Sequence, residues 1–311
     1  MNKKSFVFRS SSGLSDIYVS SYYPAAECDI KGVIQIAHGM AEHHERYEDF
    51  IEVLNNNGYA VYINDHLGHG KSVSDDSELG YFGENKGYMN LVRDMKLLTD
   101  IIKKENPGLP VILFGHSMGS MLARLYTSEY GNVIDGAIYC GTCGANPAAH
   151  VGITLVNLIK KLKGSHYRSE LINKLAFGTY NNRFKPQRTA FDWLTTDNDV
   201  VDKYTQDPYC GFLFTANGYK DLMELIVEIN KKEWYQSVPK TIPVYLIAGK
   251  DDPVGNYGKG IYEVFDNLNE VRHKNVSVDL FSGDRHEILN EKDKDEVYKY
   301  VLKWISGVLE S

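Results

Sequence analysis

Residues 110–126 read PVILF-GHSMG-SMLARLY: a short apolar run, a serine between two glycines, and a helix-forming stretch. The apolar run predicts a buried strand, and residues 120–126 predict a helix. A strand, G-x-S-x-G and a helix in this order are typical of a nucleophile elbow, in which a sharp turn exposes the serine hydroxyl. Gly115 and Gly119 lack the Cβ atoms that would clash in so tight a turn. The stretch therefore predicts that Ser117 is a nucleophile.

The size and charge of the chain narrow the possible functions. Its 311 residues suit one large α/β domain with an inserted segment. The formal charge is −7, from 34 basic and 41 acidic residues, and no run of Lys and Arg occurs, so nucleic-acid binding is not expected. We find neither a signal peptide nor an apolar stretch of membrane-spanning length. We therefore expect a cytoplasmic protein without an integral membrane segment, either a monomer or a homodimer.

The four cysteines are Cys28, Cys140, Cys143 and Cys210. Cys140 and Cys143 form a C-x-x-C pair directly after a predicted strand at 134–139. A redox pair normally opens a helix, and a zinc site would need a second pair. We therefore expect reduced thiols at the end of a core strand and no metal site.

Strands and helices alternate along most of the chain. The first 30 residues alternate in a strand-like way and predict an antiparallel hairpin at a sheet edge. Further strands are predicted at 32–37, 60–64, 110–114, 134–139, 242–248 and 276–281, and helices at 47–56, 87–104, 120–126 and 293–310. This alternation predicts a parallel sheet covered on both faces.

The alternation stops between residues 144 and 240, a segment called here the insert. Helical periodicity in the insert predicts helices at 151–162, 169–177, 190–195 and 218–232. We therefore expect a core formed by residues 1–143 and 241–311, interrupted by a helical insert at 144–240.

An activated serine needs a base, which in this type of fold follows the nucleophile in the chain. Four of the ten histidines lie beyond Ser117, and His150 and His166 of these fall in the insert. His273 precedes the strand predicted at 276–281, whereas His286 follows it. Because ligands bind at the carboxyl ends of parallel strands, His286 is the predicted base.

The base needs an orienting carboxylate, and Asp251 and Asp252 both follow the strand predicted at 242–248. The spacing alone leaves the choice between them open. The developing oxyanion needs N–H donors, of which one comes from the residue after the nucleophile, Met118. The second is predicted to be the N–H of Met40, in an early loop that follows a strand. His38 in that loop is predicted to be structural.

Several motifs together resemble one branch of a known family. Residues 38–47 read HGMAEHHERY and resemble the HGxGEHxxRY block of the monoacylglycerol lipase and lysophospholipase-like branch of the α/β-hydrolases. DHLGHGKS at 65–72 is similar to the branch's D-x-x-GHG-x-S loop, GHSMG at 115–119 to its elbow, and GKDDPV at 249–254 to its acid loop. The resemblance spans about residues 6–310 and is weak in the insert. Ala41 stands where the branch often has glycine.

The resemblance implies an α/β-hydrolase fold with a mostly parallel sheet and a helical cap formed by the insert. It implies a serine hydrolase with Ser117 as nucleophile, His286 as base, Asp252 as acid, and Met40 and Met118 as oxyanion donors. No cofactor is implied. The implied substrates are carboxylic esters of the monoacylglycerol or lysophospholipid type. Glu42 is expected either to orient the alcohol side of the ester or to hold its own loop.

The apolar residues of the insert either line an acyl-chain channel or pack the cap onto the core, and periodicity cannot separate the two. They are Leu155, Leu158, Phe212, Leu213, Phe214, Leu222, Leu225 and Ile226. We take Phe212 and Phe214 as the candidate substrate contacts.

Three other functions stay open at this point. A peptidase of the proline iminopeptidase type would need a carboxylate cluster for a free amine, which Glu224, Glu228 and Glu233 could supply. An esterase for small or aromatic esters is the second. A non-catalytic binding protein on a hydrolase scaffold is the third, against which the complete set of Ser117, Asp252 and His286 argues.

Overall fold

A computed structural model describes residues 2–25 and 29–310, so Cys28 lies outside the described residues. Its centre is an eight-stranded sheet with the order β1-β2-β4-β3-β5-β6-β7-β8. The strands are β1 Asn2–Arg9, β2 Asp16–Tyr23, β3 Gly32–Ala37, β4 Tyr59–Asn64, β5 Val111–His116, β6 Gly136–Cys140, β7 Val244–Gly249 and β8 Val276–Phe281. β1 and β2 form the predicted antiparallel hairpin at one edge. β2 runs antiparallel to β4, and β3 to β8 pair in parallel, which confirms the predicted mostly parallel sheet.

Helices cover both faces of the sheet, as an α/β fold requires. The helices outside the insert are α1 Glu48–Asn56, α2 Gly87–Glu105, α3 Met118–Tyr130, α9 Lys259–Glu270 and α10 Lys294–Leu309. Apolar residues of α2, α3 and α9 form one core cluster with the sheet, and those of α1 and α10 form a second. Strands β3 to β7 are buried along their whole length. Strands buried on both faces read as continuous apolar runs, which is why the sequence reveals them.

The strand order places a crevice at the carboxyl ends of β3 and β5. β3 lies between β4 and β5. The chain passes from β3 to β4 on one side of it and then crosses over to β5 on the other side. Loops at such a switch point diverge and leave room for a ligand. β3 ends at Ala37 and β5 at His116, and the loop of Met40 and the elbow of Ser117 follow directly.

The insert, between β6 and β7, is helical. Its helices are α4 Ala148–Lys163, α5 Glu170–Phe177, α6 Asn198–Gln206, α7 Ala216–Glu228 and α8 Lys232–Ser237. The prediction of a helix at 190–195 is wrong, because that stretch forms turns. The Asp192 carboxylate accepts hydrogen bonds from the backbone N–H groups of Arg188 and Thr189, which competes with helix formation.

Two further differences concern helix number. The helix predicted at 218–232 is α7, which ends earlier, at Glu228, and the helices α6, α8 and α9 were not predicted. Cys140 and Cys143 are free and buried, as predicted for thiols at the end of a core strand, and Cys210 in the insert is also free and buried. Among the helices of the described residues, none combines the length and the apolar character needed to cross a membrane.

Candidate active site

Ser117 occupies a strained turn between β5 and α3. Its backbone angles are φ 53° and ψ −121°, a region that residues with a Cβ atom rarely adopt. The Ser117 N–H donates to the carbonyl of Cys140 at 2.9 Å, which ties the turn to the end of β6. Ser117 is partly exposed, whereas the residues on either side of it are buried. The sharp turn thus presents the hydroxyl above the N-terminus of α3.

The two glycines of the elbow are needed because backbone segments approach one another closely. A Cβ on Gly115 would lie 2.3 Å from the Gly119 carbonyl oxygen. A Cβ on Gly119 would lie 2.0 Å from the carbonyl oxygen of Ala37, at the end of β3. α3 therefore begins almost in contact with the loop after β3, and this brings Met40 and Ser117 to the same cavity.

His286 and Asp252 form a buried pair beside the elbow. Asp252 Oδ2 accepts a hydrogen bond from His286 Nδ1 at 3.0 Å, and the side chains of His286 and Asp252 are 2% and 0% exposed. Asp252 Oδ1 accepts a second bond, from the N–H of Val254 at 2.8 Å. The adjacent Asp251 stays partly exposed, and its N–H donates to the carbonyl of Asp284. The structure therefore places Asp252, and not Asp251, against the predicted base.

The alternative base, His273, lies at the other end of the sheet, because it precedes β8 and His286 follows it. The whole residue is buried, and burial lowers the pKa of its imidazole. His286, in contrast, lines the same cavity as Ser117 and packs against Trp193 of the insert, with ring centroids 5.1 Å apart.

The loop after β3 lies against the elbow. A Cβ on Gly39 would be 3.1 Å from the Ser117 Cβ, and Met40 and Met118 both line the cavity. His38 is fully buried; its Nε2 accepts a hydrogen bond from the N–H of His66 at 2.9 Å. Burial lowers the pKa of His38 to about 3, so the ring is neutral and holds the loop from behind.

The Glu42 carboxylate is hydrogen-bonded to other groups of the protein. Its Oε1 accepts hydrogen bonds from the Gly39 N–H and from the Tyr47 hydroxyl, and its Oε2 accepts one from Arg46. Although Glu42 lines the cavity, these bonds favour the second of its two expected roles, that of holding its own loop.

Arg46 connects this loop to the loop of the base. Its Nη1 and Nη2 donate to the two carboxylate oxygens of Glu287 at 2.7 and 2.6 Å. Glu287 directly follows His286, so one buried guanidinium joins the two loops. Arg46 and Glu287 are site residues that were not predicted from the sequence. The available signal was weak: Arg46 belongs to the HGxGEHxxRY-like block, and Glu287 adjoins the predicted base.

The charges of this network stabilise one another. Burial alone would raise the pKa of Glu42, but the charges of Arg46 and His116 outweigh it and hold that pKa well below its usual value. Burial likewise opposes the ionisation of Glu287, and Arg46 lowers the pKa of this carboxyl. For His116 burial would lower the pKa, but the bond to Glu42 outweighs it and raises the pKa. The site thus contains a buried cation shared by two carboxylates.

The cavity above Ser117 has a volume of about 320 Å³. Core residues form its floor, and the insert supplies most of its wall. The apolar and aromatic side chains that line it from the insert are those of Phe177, Tyr180, Ala190, Phe191, Trp193, Leu194, Tyr204, Phe212, Leu222 and Ile226. The polar lining from the insert includes Asn173, Lys174, Asn181 and Gln187.

The two predicted substrate contacts differ in position. Phe212 lines the cavity, whereas Phe214 is absent from its lining and is fully buried. The Phe214 ring packs against Phe82 and His69, with centroids 5.1 and 5.3 Å away. The expectation that Phe214 contacts substrate is therefore corrected: this side chain packs the insert onto the core. Of the other apolar residues considered, Leu158 is 54% exposed and Leu225 is buried outside the cavity.

One group of potential metal ligands lies between the insert and the core. His43, Asp207 and Cys210 each have one potential ligand atom, and these three atoms lie within 4.8 Å of one another. His43 Nε2 and Asp207 Oδ2 are 2.9 Å apart and bond to each other, which accounts for their proximity. That catalysis needs no metal stays a prediction.

The sheet order, the elbow and the buried His–Asp pair are those of an α/β-hydrolase. A family model described as serine aminopeptidase, S33, matches residues 29–293. The chain therefore belongs to this family of serine hydrolases.

Individual relatives match over nearly the whole chain. A monoacylglycerol lipase of Mycolicibacterium smegmatis is 27% identical over 282 residues, which cover 90% of this chain and 89% of the relative. A phospholipase of Bacillus subtilis is 27% identical over 269 residues, covering 86% and 92%. Among solved structures, a thermostable carboxyl esterase from Bacillus coagulans in complex with glycerol superposes with a TM-score of 0.92 at 32% identity, covering 99% of both chains. The resemblance to the monoacylglycerol lipase-like branch is thereby confirmed.

Proposed function

We propose that this chain is a serine hydrolase that cleaves carboxylic esters of lipids, with monoacylglycerols or lysophospholipids as the substrate class. The observation that carries the proposal is the buried pair of His286 and Asp252 at the base of the cavity that Ser117 also lines. A serine, a histidine and a carboxylate in this order supply a nucleophile, a base and an orienting group. The relatives named as a monoacylglycerol lipase and a phospholipase support a lipid ester as substrate.

In the proposed mechanism His286 takes the proton of Ser117 as the serine oxygen attacks the ester carbonyl carbon. Asp252 holds the His286 Nδ1 proton and stabilises the imidazolium. The N–H groups of Met40 and Met118 bind the resulting oxyanion, and one such donor contributes about 3 kcal/mol of barrier lowering. The tetrahedral intermediate collapses, and the alcohol leaves with the proton from His286. Water, deprotonated by His286, then hydrolyses the acyl-enzyme.

We propose that the insert, residues 144–240, is the cap that binds the acyl chain. Its aromatic and aliphatic side chains form most of the apolar cavity wall. The outer surface of the insert is also apolar: Val151, Leu158 and Leu162 of α4 are 72%, 54% and 71% exposed, and Leu171 and Leu175 of α5 are 56% and 63% exposed. Exposed apolar patches mark surfaces that contact lipid or another protein. Because α5 also contributes Phe177 to the cavity lining, its exposed leucines lie on a helix that borders the substrate site.

The main alternative function is that of an aminopeptidase, because the matching family model is described as serine aminopeptidase. Such an enzyme needs an unpaired carboxylate for the amine of its substrate. The carboxylates in the cavity lining, within the described residues, are Glu42 and Glu287, and Arg46 binds both. Of the glutamates that could have supplied it, Glu224 and Glu228 pair with lysines, and these two and Glu233 are absent from the cavity lining. These contacts favour an esterase.

The direct test compares the wild type with Ser117→Ala on p-nitrophenyl esters of two to sixteen carbons, a monoacylglycerol, a lysophospholipid and a proline anilide. Ser128→Ala is the matched control, because Ser128 lies on the same helix and its hydroxyl bonds only a local carbonyl, that of Leu125. We expect Ser117→Ala to lose hydrolysis at least about a thousandfold while unfolding at the wild-type temperature. Full activity of Ser117→Ala would refute the mechanism, a sharp preference for acetyl would refute the lipid class, and turnover of the anilide would favour the peptidase.

The cytoplasmic location and the monomeric or homodimeric state stay predictions.

A further inference from the structure

Ala41, the residue after the proposed oxyanion donor Met40, has an unfavourable backbone conformation. Its φ is 50°, in the left-handed region that glycine adopts freely and that costs other residues free energy. Glycine often occupies this position in the motif that residues 38–47 resemble. Ala41 is 4% exposed, so protein contacts surround it. Such a conformation persists only where neighbouring groups hold it.

Two hydrogen bonds from the insert hold the Ala41 carbonyl. The hydroxyl of Tyr204, on α6, donates to this oxygen at 3.0 Å, and the Gly211 N–H donates to it at 2.9 Å. A carbonyl oxygen has two lone pairs, so both are used. On the other side of Met40, the Gly39 N–H is held by Glu42. The backbone is therefore held on both sides of the Met40 N–H: by the core at Gly39 and by the insert at Ala41.

Tyr204 is well placed to act as a fixed donor. Its ring lies against the Arg46 guanidinium, 4.8 Å from centroid to Cζ, and edge-on to Phe191 at 4.9 Å. Burial raises the pKa of the Tyr204 phenol well above its usual value. The hydroxyl consequently stays protonated at any pH where a His286-dependent hydrolase would work, and the donor is never lost by ionisation.

We infer that Tyr204 is a positioning residue for the oxyanion hole: through its bond to the Ala41 carbonyl, the insert holds the left-handed backbone of Ala41 and fixes the direction of the Met40 N–H. The oxyanion hole is then complete only while α6 and the turn at Gly211 are seated on the core. The seating of the insert on the core thereby affects the rate of the chemical step. This inference rests on the proposed function, since it assumes that Met40 donates to an oxyanion.

The experiment is a double-mutant cycle of Tyr204→Phe and Ala41→Gly, measured on a p-nitrophenyl ester. Tyr204→Phe keeps the ring packing and removes the donor, and we expect kcat to fall about five- to tenfold with KM changed less than about twofold. In the Ala41→Gly background, where a positive φ costs nothing, the same change is expected to lower kcat by less than about twofold. A trifluoromethyl ketone inhibitor forms a tetrahedral adduct with the serine, and the adduct carries an oxyanion. Its affinity should therefore weaken in parallel with kcat/KM.

Tyr126→Phe is the matched control, because Tyr126 is also buried and its hydroxyl bonds to Thr99 at 2.8 Å, between α2 and α3. It should leave kcat and the affinity for the ketone unchanged. Three results would overturn the inference: an unchanged kcat in Tyr204→Phe, an equal loss in both backgrounds, or a loss confined to KM, which would make Tyr204 a substrate contact. Failure of the proposed function is a different result, namely full hydrolysis by Ser117→Ala.

Discussion

Replacing Arg46 with methionine tests the buried network that joins the two catalytic loops. Arg46→Met keeps the apolar stem of the side chain and removes the charge shared by Glu42 and Glu287. The arginine side chain is 11% exposed and the carboxylates 4% and 3%, so solvent cannot replace the lost partner. Breaking a buried ion pair from one side costs about 3–5 kcal/mol, because an uncompensated charge remains buried. At about 2 °C per kcal/mol, the lower end of the range for large domains, we expect the midpoint of thermal unfolding to fall by about 6–10 °C.

The pH dependence of this loss has a definite sign. In the wild type Arg46 lowers the folded-state pKa of Glu42 and Glu287, so their contribution is present above the unfolded pKa and lost as the pH falls through the folded pKa. Without Arg46 the largest favourable charge is lost while His116 still acts on both carboxyls, and we expect burial to raise both pKa values. Folding then favours the protonated acids, and stability decreases as the pH rises above the unfolded value. The difference in unfolding free energy between wild type and Arg46→Met should therefore be smaller at pH 5 than at pH 8.

Urea denaturation at the two pH values measures this difference. The control is Arg46→Met combined with Glu42→Gln and Glu287→Gln, which removes the arginine charge together with both carboxylate charges and should restore at least half of the lost stability. A loss below about 1 kcal/mol at pH 8 would refute the view that this network holds the loops. An equal loss at both pH values would show that packing, and not the unpaired carboxylates, accounts for the effect.

Two further substitutions test single contacts of the site. Asp252→Asn should lower kcat by about 10⁴-fold in steady-state assays with little change in folding, because the amide can hold the wrong His286 tautomer; a loss below about tenfold would contradict this. Phe214→Ala should lower the unfolding free energy by about 3–5 kcal/mol in urea melts, because the ring is fully buried. Phe212→Ala should instead change the preferred acyl-chain length in the ester panel, and the reverse pattern would mean that the two side chains have exchanged roles.

The sequence predicts the core well because strands buried on both faces form continuous apolar runs, as in β5 and β7. The elbow is predictable because a glycine is required at each end, where a Cβ on Gly119 would lie 2.0 Å from a carbonyl oxygen. The resemblance of residues 249–254 to the family's acid loop identifies Asp252 as the acid, whereas spacing alone does not distinguish it from Asp251. Local patterns therefore identify residues whose role depends on their own neighbours in the chain.

Contacts between distant segments are what the sequence does not reveal. Arg46 and Glu287 are 241 positions apart, and Tyr204 is 163 positions from Ala41. Nothing in the pattern of residues 200–211 indicates a donor to the loop after β3. Phe214 was misassigned for a related reason, since an apolar residue next to a cavity residue looks the same in sequence whether it lines the cavity or packs behind it.

The most direct test of the account is to identify the residue that becomes covalently modified. The protein is treated with p-nitrophenyl diethyl phosphate, which transfers its phosphoryl group to an activated serine and releases nitrophenol, and is then digested for peptide mass spectrometry. We expect one diethylphosphoryl group, on Ser117, with loss of esterase activity in proportion to labelling, and no label in Ser117→Ala. Labelling of another residue, or full activity in protein labelled at Ser117, would contradict it.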